Sequence, residues 1–374
     1  MAKTKYWNIN NILSKFCQYN MVIGERSNGK TYGTIKYGLE EFFKHGSEIA
    51  IIRRMEEDFR GKRASTLFAP FIKNKVIEKL SKGKYNSVKY YSQRWYLQHI
   101  EEKKENCYVD DEPFAYAFAL TSMEHDKSSS YPRIRTVIFD EFLTRNVYLN
   151  DEFVTFQNVL STIIRDRNDV IIFMLGNTVN KYCPYFKEMG LNNVAKQEPQ
   201  TIDIYTYGDS GLRVAVEFCG RKTDKDNSTP KKKSDVYFAF NNPKLQMIKS
   251  GTWEIDIYPH LPCKYLPKDI RYMYFIKFND EILQCEIIRV TEPETKRKVM
   301  FTYIHRKTTD IKDDNGKCLV YQEEFSPLSN YKRRITKPKT ELEKFILSFF
   351  TMDKVFYQDN DVGEVVRNYL QWSM

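Results

Sequence analysis

Residues 21–31 read MVIGERSNGKT. An apolar stub runs into a loop that carries two glycines and ends in a lysine and a threonine. The spacing G-x-x-x-x-G-K-T is filled by Gly24, Gly29, Lys30 and Thr31, with Glu25, Arg26, Ser27 and Asn28 between them. A loop of this kind holds phosphate. Its glycines let backbone N–H groups turn inward at a helix N-terminus, where the helix dipole also favours an anion. The lysine reaches the β- and γ-phosphates, and the hydroxyl after it ligates magnesium. Gly24 to Thr31 are therefore the candidate nucleotide cradle, with ATP and Mg2+ as the expected ligands.

The flanking sequence has the context such a loop requires. YNMVI (19–23) reads as a buried strand, and KTYGTIKYGLEEFFKHG (30–46) reads as an amphipathic helix stopped by a glycine. IAIIRR (49–54), YAFALT (116–121), RTVIFDEF (135–142) and DVIIFMLGN (169–177) are further apolar runs of strand length. FAPFIKNKVIEKLSKG (68–83) and VYLNDEFVTFQNVLSTIIRDR (147–167) have helical spacing. Strands without in/out alternation, separated by helices, predict a mostly parallel sheet covered on both faces.

After about residue 210 the pattern changes. GRKTDKDNSTPKKKSD (220–235) reads as a linker, and residues 221–249 carry eight Lys/Arg against three Asp/Glu, a local +5. RYMYFIKF (271–278), ILQCEIIRV (282–290), VMFTYIHRK (299–307) and CLVYQEEF (318–325) then read as turn-separated strands, with DDNG (313–316) as a hairpin signal. TELEKFILSFF (340–350) opens a helix with Thr340 and Glu343 spaced as a capping box. The expected fold is α/β: a RecA-like P-loop domain at 1–210, a basic linker region at 211–262 and a smaller β-rich domain at 263–374.

Composition sets outer bounds. A chain of 374 residues with 41% hydrophobic and 15% aromatic content builds two or three cores. Its longest apolar run, VIIFML (170–175), is too short to cross a bilayer, and MAKTKYWNIN lacks the apolar centre of a signal peptide. Seven scattered cysteines, odd in number and without a C-x-x-C pair, fit neither a disulfide framework nor a zinc ribbon, so the expected setting is a reducing cytoplasm. A net charge of +10 suits a polyanionic partner and is also common without one.

The second half of the site is TVIFDEF (136–142), which places Asp140 and Glu141 at the end of a buried strand. Asp140 is the candidate magnesium ligand beside Thr31. Glu141, one residue on, is placed to polarise an attacking water, which favours hydrolysis over transfer to a bound acceptor. Asn177 closes a neighbouring strand, where its amide either senses the γ-phosphate or forms a turn. Arg165 and Arg167 end a helix, where they serve either as macrodipole caps or as an arginine finger to a neighbouring subunit. Arg53 and Arg54 either line the site or cap the sheet, Lys127 reads on its own as a solvated loop lysine, and Tyr131-Pro132 shape a loop.

Taken in order, VIGERSNGKTYG, IIRR, KSSSYP, TVIFDEF, IIRDRNDV and GNTVNKYCPYF resemble the genome-packaging ATPases of small protein-primed tailed bacteriophages (the picovirus type), within the terminase large-subunit class. The resemblance covers roughly residues 15–190, and over the C-terminal third it is architectural. It implies an additional-strand, catalytic-glutamate ATPase that works as a homomeric ring of five subunits. That ring sits at the portal (connector) of a procapsid in the host cytoplasm and drives double-stranded DNA inward, with no membrane partner. By motif, Glu141 becomes the catalytic acid, Arg165 the trans-acting arginine, Lys127 a loop lysine of the site and Arg26 a basic residue inside the cradle. Arg26 is further expected to pair with Glu141 in one state of the cycle. Glu56 is a departure from the resemblance, since a relative of this type carries a lysine after the paired arginines.

Large terminases often carry an RNase H-like nuclease in the C-terminal region. Here RYMYFIKF has no acid, Asp280-Glu281 lie in a turn and Asp313-Asp314 in a second turn, so the expectation is a nuclease-like fold without nuclease activity. The resemblance assigns such a domain to DNA, portal or packaging RNA. Lys231, Lys232, Lys233, Lys332, Arg333 and Arg334 are its candidate phosphate contacts, against a reading as solvated basic surface. The competing functions are a P-loop switch or scaffold with little turnover, a helicase, and a nucleotide kinase. Glu141 beside Asp140 speaks against the switch, and no lid-like arginine cluster supports the kinase.

Overall fold

In a computed structural model of the chain the apolar runs become the strands of two sheets. The structure describes residues 6–101, 107–122, 130–208, 210–219, 253, 256–291, 296–311 and 316–374. The chain divides into two units, Met1–Glu254 and Ile255–Met374, and each is described by itself.

The N-terminal sheet contains β1 (Tyr19–Gly24), β2 (Glu48–Arg53), β3 (Ser87–Tyr91), β4 (Arg94–Ile100), β5 (Cys107–Ala119), β6 (Ile134–Asp140), β7 (Ile171–Asn177), β8 (Thr201–Tyr207) and β9 (Leu212–Phe218). Their order is β3-β4-β5-β2-β6-β7-β1-β9-β8. The run from β5 to β9 is parallel, and β3, β4 and β8 join antiparallel at the two edges. One strand, β7, stands between the cradle strand β1 and the acid-bearing β6, which is the additional-strand arrangement. Successive residues of a strand point to opposite faces. In β1, Met21 and Ile23 therefore pack with Phe156, Val159 and Leu160 of the Glu152–Ile164 helix. Val22 packs on the other face with Ile35 and Leu39 of the Lys30–His45 helix. Both faces are covered, which is why these strands read as unbroken apolar runs.

Three differences from the sequence reading have physical causes. The 68–83 stretch is not one helix but two short ones, Ala69–Lys73 and Val76–Leu80, with Lys75 left-handed between them (φ +55). Phe71 and Ile77 are both buried, and an unbroken helix carrying Phe71 inward would bring Asn74 and Lys75 to the same face. The β3–β4 hairpin, which the sequence reading did not include, buries Trp95 and Leu97 and leaves the alternate positions outside. The first domain does not end at 210, because β9 pairs in parallel with β1 and completes the sheet. Trp253 also packs against Phe186 and Phe218, so only part of the 211–262 segment is linker. The 220–235 stretch, with Lys231, Lys232 and Lys233, lies outside the described residues, as do Lys127 and the 313–315 part of DDNG.

The C-terminal unit contains β10 (Ile270–Phe278), β11 (Glu281–Thr291), β12 (Lys298–Arg306), β13 (Val320–Gln322), β14 (Tyr331–Lys332) and β15 (Val355–Tyr357), ordered β14-β13-β10-β11-β12-β15. Strands β10 to β12 form an antiparallel meander, and β13 and β14 extend it in parallel on the other side of β10. This is the RNase H-like order with one added edge strand, closed by helices Glu341–Thr351 and Asn360–Ser373. Thr340 caps the first of these, its hydroxyl accepting from Glu343 N at 3.3 Å, while Glu343 accepts from Lys339 N. β10 carries no acid. Among the described residues no group of three or more His, Cys, Asp and Glu is arranged to hold a metal. Glu286 on β11 is buried under Tyr265 and Gln284, a structural placement. Glu281 belongs to β11, and only Asn279 and Asp280 make the turn before it.

Candidate functional site

Four parallel strands, β2, β6, β7 and β1, end along one edge of the sheet with Arg53, Asp140, Asn177 and Gly24. Ligands of open parallel sheets bind beyond the carboxyl ends of the strands. A cavity of about 670 Å3 opens there, lined by Arg26 to Tyr32, by Arg54, Asp140, Glu141 and Leu143 to Asn146, and by Leu175 to Asn177 with Val179. Its size is that of a nucleotide-scale pocket.

Within the cradle, Ser27 (φ +59) and Gly29 (φ +91) are left-handed. Strained backbone at a functional loop fits a rigid anion nest. The Asn28 side chain braces it, Nδ2 donating to Cys219 Sγ (3.0 Å) and Oδ1 accepting from Lys30 N (3.3 Å). The ammonium of Lys30 donates to Glu25 O (2.7 Å), Asn177 Oδ1 (3.2 Å) and Gly24 O (3.3 Å). Gly24 and Glu25 thus serve through their carbonyls, and Arg26 to Thr31 face the cavity. Burial holds the Lys30 ammonium below its usual pKa, against the pull of Cys219, Asp140 and Glu25.

The acids meet the cradle directly. Thr31 Oγ1 donates to Asp140 Oδ1 at 3.0 Å, the adjacency that a shared magnesium requires, and both are hard oxygen donors. Arg53 donates to the other Asp140 oxygen (2.6 Å) and to Glu141 Oε2 (3.4 Å), bridging the two carboxylates. Glu141 is left-handed (φ +63), and its side chain is 63% exposed. Arg54, the residue after the end of β2, pairs with fully buried Glu152 at 2.8 Å and donates to Phe142 O (2.7 Å), so it anchors the loop behind Glu141. Gly176 lets that loop approach: a Cβ there would stand 2.7 Å from Leu143.

The remaining sequence candidates separate. Arg26 lines the cavity and is exposed, and in this structure the partner of Glu141 is Arg53, because the end of β2 lies beside β6. Asn177 joins the site through Lys30. Arg165 is exposed at the C-terminus of the Glu152–Ile164 helix, which runs back from the acids toward the start of β7. Arg167 is structural, donating to the carbonyls of Tyr131, Pro132, Ile134, Ile163 and Ile164. Glu56 pairs with Arg60 at 3.1 Å. In the C-terminal unit, Lys332 lies 3.6 Å from Glu343, Arg333 stacks over Trp372 and Arg334 donates to Met374 O. Several lining residues were missed, among them Tyr32, Thr144, Asn146 and the cation Arg145, which donates to Val179 O at 3.1 Å. The signal was an arginine four positions beyond Glu141 in DEFLTR.

An N-terminal strap completes the cradle from behind. Trp7 N donates to Asn28 O (3.0 Å), and its indole Nε1 donates to Glu217 on β9 (2.9 Å). Burial pushes the Glu217 carboxyl up to about 7. An acid with a raised folded pKa stabilises the fold fully below its unfolded pKa of 4.5, and that stability is lost as pH rises through 7. Between those limits the loss is roughly 2–4 kcal/mol. Melting temperatures are expected to fall from pH 5 toward pH 8 and to flatten in Glu217→Gln, which keeps an acceptor for Trp7; an unchanged pH slope in the variant excludes Glu217 as the cause.

The family model described as podovirus DNA encapsidation protein (Gp16) matches residues 1–205. The DNA packaging protein of Bacillus phage phi29 is 27% identical over 189 residues, half of each chain, and that of Bacillus phage B103 is 26% identical over 175 residues. The matched segment spans about half the length of these relatives. Over nearly the whole chain the fold is similar to the Phi-28 gp11 DNA packaging motor (TM-score 0.50, 18% identity, covering 99% of this chain and 97% of that one). It is also similar to the bacteriophage Phi-29 genome packaging motor assembly (TM-score 0.51, 18% identity, 97% of both). With its family-model match running across the cradle, the acids and the strand that ends in Asn177, the chain belongs to the podovirus Gp16 DNA encapsidation family.

Proposed function

We propose that the chain is an ATP-hydrolysing subunit of a homomeric ring, of five subunits by family resemblance, that drives double-stranded viral DNA into a preformed procapsid. The observation that carries this reading is the convergence of Lys30, Thr31, Asp140, Glu141 and Asn177 on one cavity of an additional-strand sheet. The packaging names of its relatives add the substrate.

In this reading Arg26 to Thr31 hold the phosphates through backbone N–H groups, and Lys30 leaves its carbonyls for the β- and γ-phosphates. Thr31 and Asp140 would hold magnesium, which when bound neutralises charge on the phosphate oxygens. Glu141 orients the attacking water and accepts its proton. Asn177, already beside Lys30, is placed to sense the γ-phosphate. Arg53 holds the second Asp140 oxygen and reaches Glu141, which leaves the Asp140 oxygen beside Thr31 for the metal and positions the Glu141 carboxylate. The ring docks on the portal in the host cytoplasm.

Steady-state hydrolysis with and without long duplex DNA tests the reading. DNA is expected to raise turnover in the wild-type chain. A rate indifferent to DNA, with normal nucleotide binding, would return the protein to a switch or scaffold.

A further inference from the structure

The chain's formal charge is +10, and among the described residues one insert is strongly basic. Residues 60–94, between β2 and β5, carry ten Lys or Arg against Glu78 alone, a net +9. All ten cations are exposed. Among the described residues, Lys62, Lys73, Lys79, Lys82 and Lys89 have no carboxylate partner. Such a field on a folded surface repels itself unless a polyanion covers it.

The β3–β4 hairpin adds a built face. Lys89 and Tyr91 lie opposite Tyr96 and Arg94, on the side away from buried Trp95 and Leu97. Tyr91 is 67% exposed. The turn residues Ser92 and Gln93 are both left-handed (φ +48 and +58), a geometry that usually demands Asn-Gly. Ala117 N donates to Gln93 O at 2.8 Å and holds that tip against β5. The result is a fixed rather than a floating array of cations with an aromatic among them. The insert follows β2 after residues 55–59, whose Glu56, Glu57 and Asp58 pair with Arg60 and Arg63, and β2 itself ends at Arg53, next to Arg54, the two that hold Asp140, Glu141 and the loop behind them.

We propose that the 60–94 insert is the surface that takes the phosphate backbone of duplex DNA, in preference to the Lys332-Arg333-Arg334 cluster, whose side chains are engaged within their own unit. The proposal rests on the motor reading above. Phosphate neutralisation releases counterions, so log affinity falls with log salt at a slope of about −0.9 per contact.

The test is fluorescence anisotropy of a duplex of roughly 40 base pairs titrated with the full-length chain across a salt series. The variant is Lys62→Gln/Lys73→Gln/Lys79→Gln/Lys82→Gln/Lys89→Gln. Its salt slope is expected to shrink by roughly three to five and its affinity near physiological salt to drop about 100-fold. Lys332→Gln/Arg333→Gln/Arg334→Gln should keep the wild-type slope. An unchanged melting temperature shows that the insert variant is folded; if it melts early, Lys79→Gln/Lys82→Gln/Lys89→Gln is used and should give an intermediate slope. A wild-type slope in the insert variants, with DNA-stimulated hydrolysis intact in the wild type, overturns the insert assignment and leaves the motor reading standing. A wild-type chain that neither binds duplex DNA nor responds to it in hydrolysis removes both. Loss of binding to an RNA duplex of equal length, with DNA binding unaffected, overturns the DNA assignment and makes RNA the partner.

Discussion

Glu141→Gln is expected to lower the turnover of ATP by roughly 10²–10⁴-fold, the usual worth of a positioned general base. An amide of the same size cannot take the proton of the attacking water. The groups that bind the nucleotide stay in place, because Lys30 is held by Asn177 and the carbonyls of Gly24 and Glu25, and Thr31 is held by Asp140. Glu141 itself is mostly exposed, and among the described residues its side-chain partner is Arg53, so the substitution leaves no buried group there unpaired. Titration with a fluorescent ATP analogue should show affinity within a few-fold of wild type, alongside lost phosphate release. A variant that hydrolyses at the wild-type rate would move the catalytic role elsewhere. A variant that loses nucleotide binding would show that the carboxylate shapes the pocket instead.

Arg165→Ala carries the second large effect. The Glu152–Ile164 helix begins behind the acids and runs about 20 Å back along the sheet. Arg167 then bonds to the carbonyls of Pro132 and Ile134 at the start of β6, which fixes this end of the crossover at the edge opposite the cavity. Arg165 therefore cannot reach the cavity of its own subunit. If it acts on a nucleotide, that nucleotide belongs to a neighbour, and a supplied arginine is worth roughly 10³–10⁵ in rate. Arg165→Ala and Lys30→Ala chains should each be inactive alone. Mixed, they should recover part of the wild-type rate, because a Lys30→Ala subunit still offers its arginine to an Arg165→Ala site. No recovery at any mixing ratio would assign Arg165 to the helix end alone.

How much of this was legible beforehand varied with burial. β1, β2, β6 and β7 are covered on both faces, so their sequences are solid apolar runs and could hardly be read otherwise. The cradle and the Asp140-Glu141 pair follow from spacing at the ends of such runs. The edge strands were harder. In β3 and β4 the core-facing residues Val88, Tyr90, Trp95 and Leu97 alternate with cations and polar groups, and Ser92-Gln93 carries no conventional turn signal. β8 and β9 pair antiparallel with Gly208 and Gly211 in the sequence between them, a hairpin signal, yet the charge-rich stretch after them drew the boundary too early. Arg53 and Arg54 show a different limit. Arg53 ends β2 and Arg54 follows it, so one reaches the acids and the other the buried Glu152, and composition cannot say which. That choice is made by the register of β2 against β6.

The place of β9 in the sheet has a bearing on biosynthesis. The P-loop strand is made early, as residues 19–24, but its two neighbours are β7 at 171–177 and β9 at 212–218. At ribosomal rates of about 5–20 residues per second, the gap between residue 24 and residue 212 lasts roughly ten to forty seconds. Throughout that interval the strand that will carry the phosphate cradle has no partner on the β9 side, and its backbone donors and acceptors are open to any passing edge. The nucleotide site is thus among the last parts of its domain to be assembled. A nascent chain stalled before Phe218 is an aggregation hazard rather than a smaller enzyme.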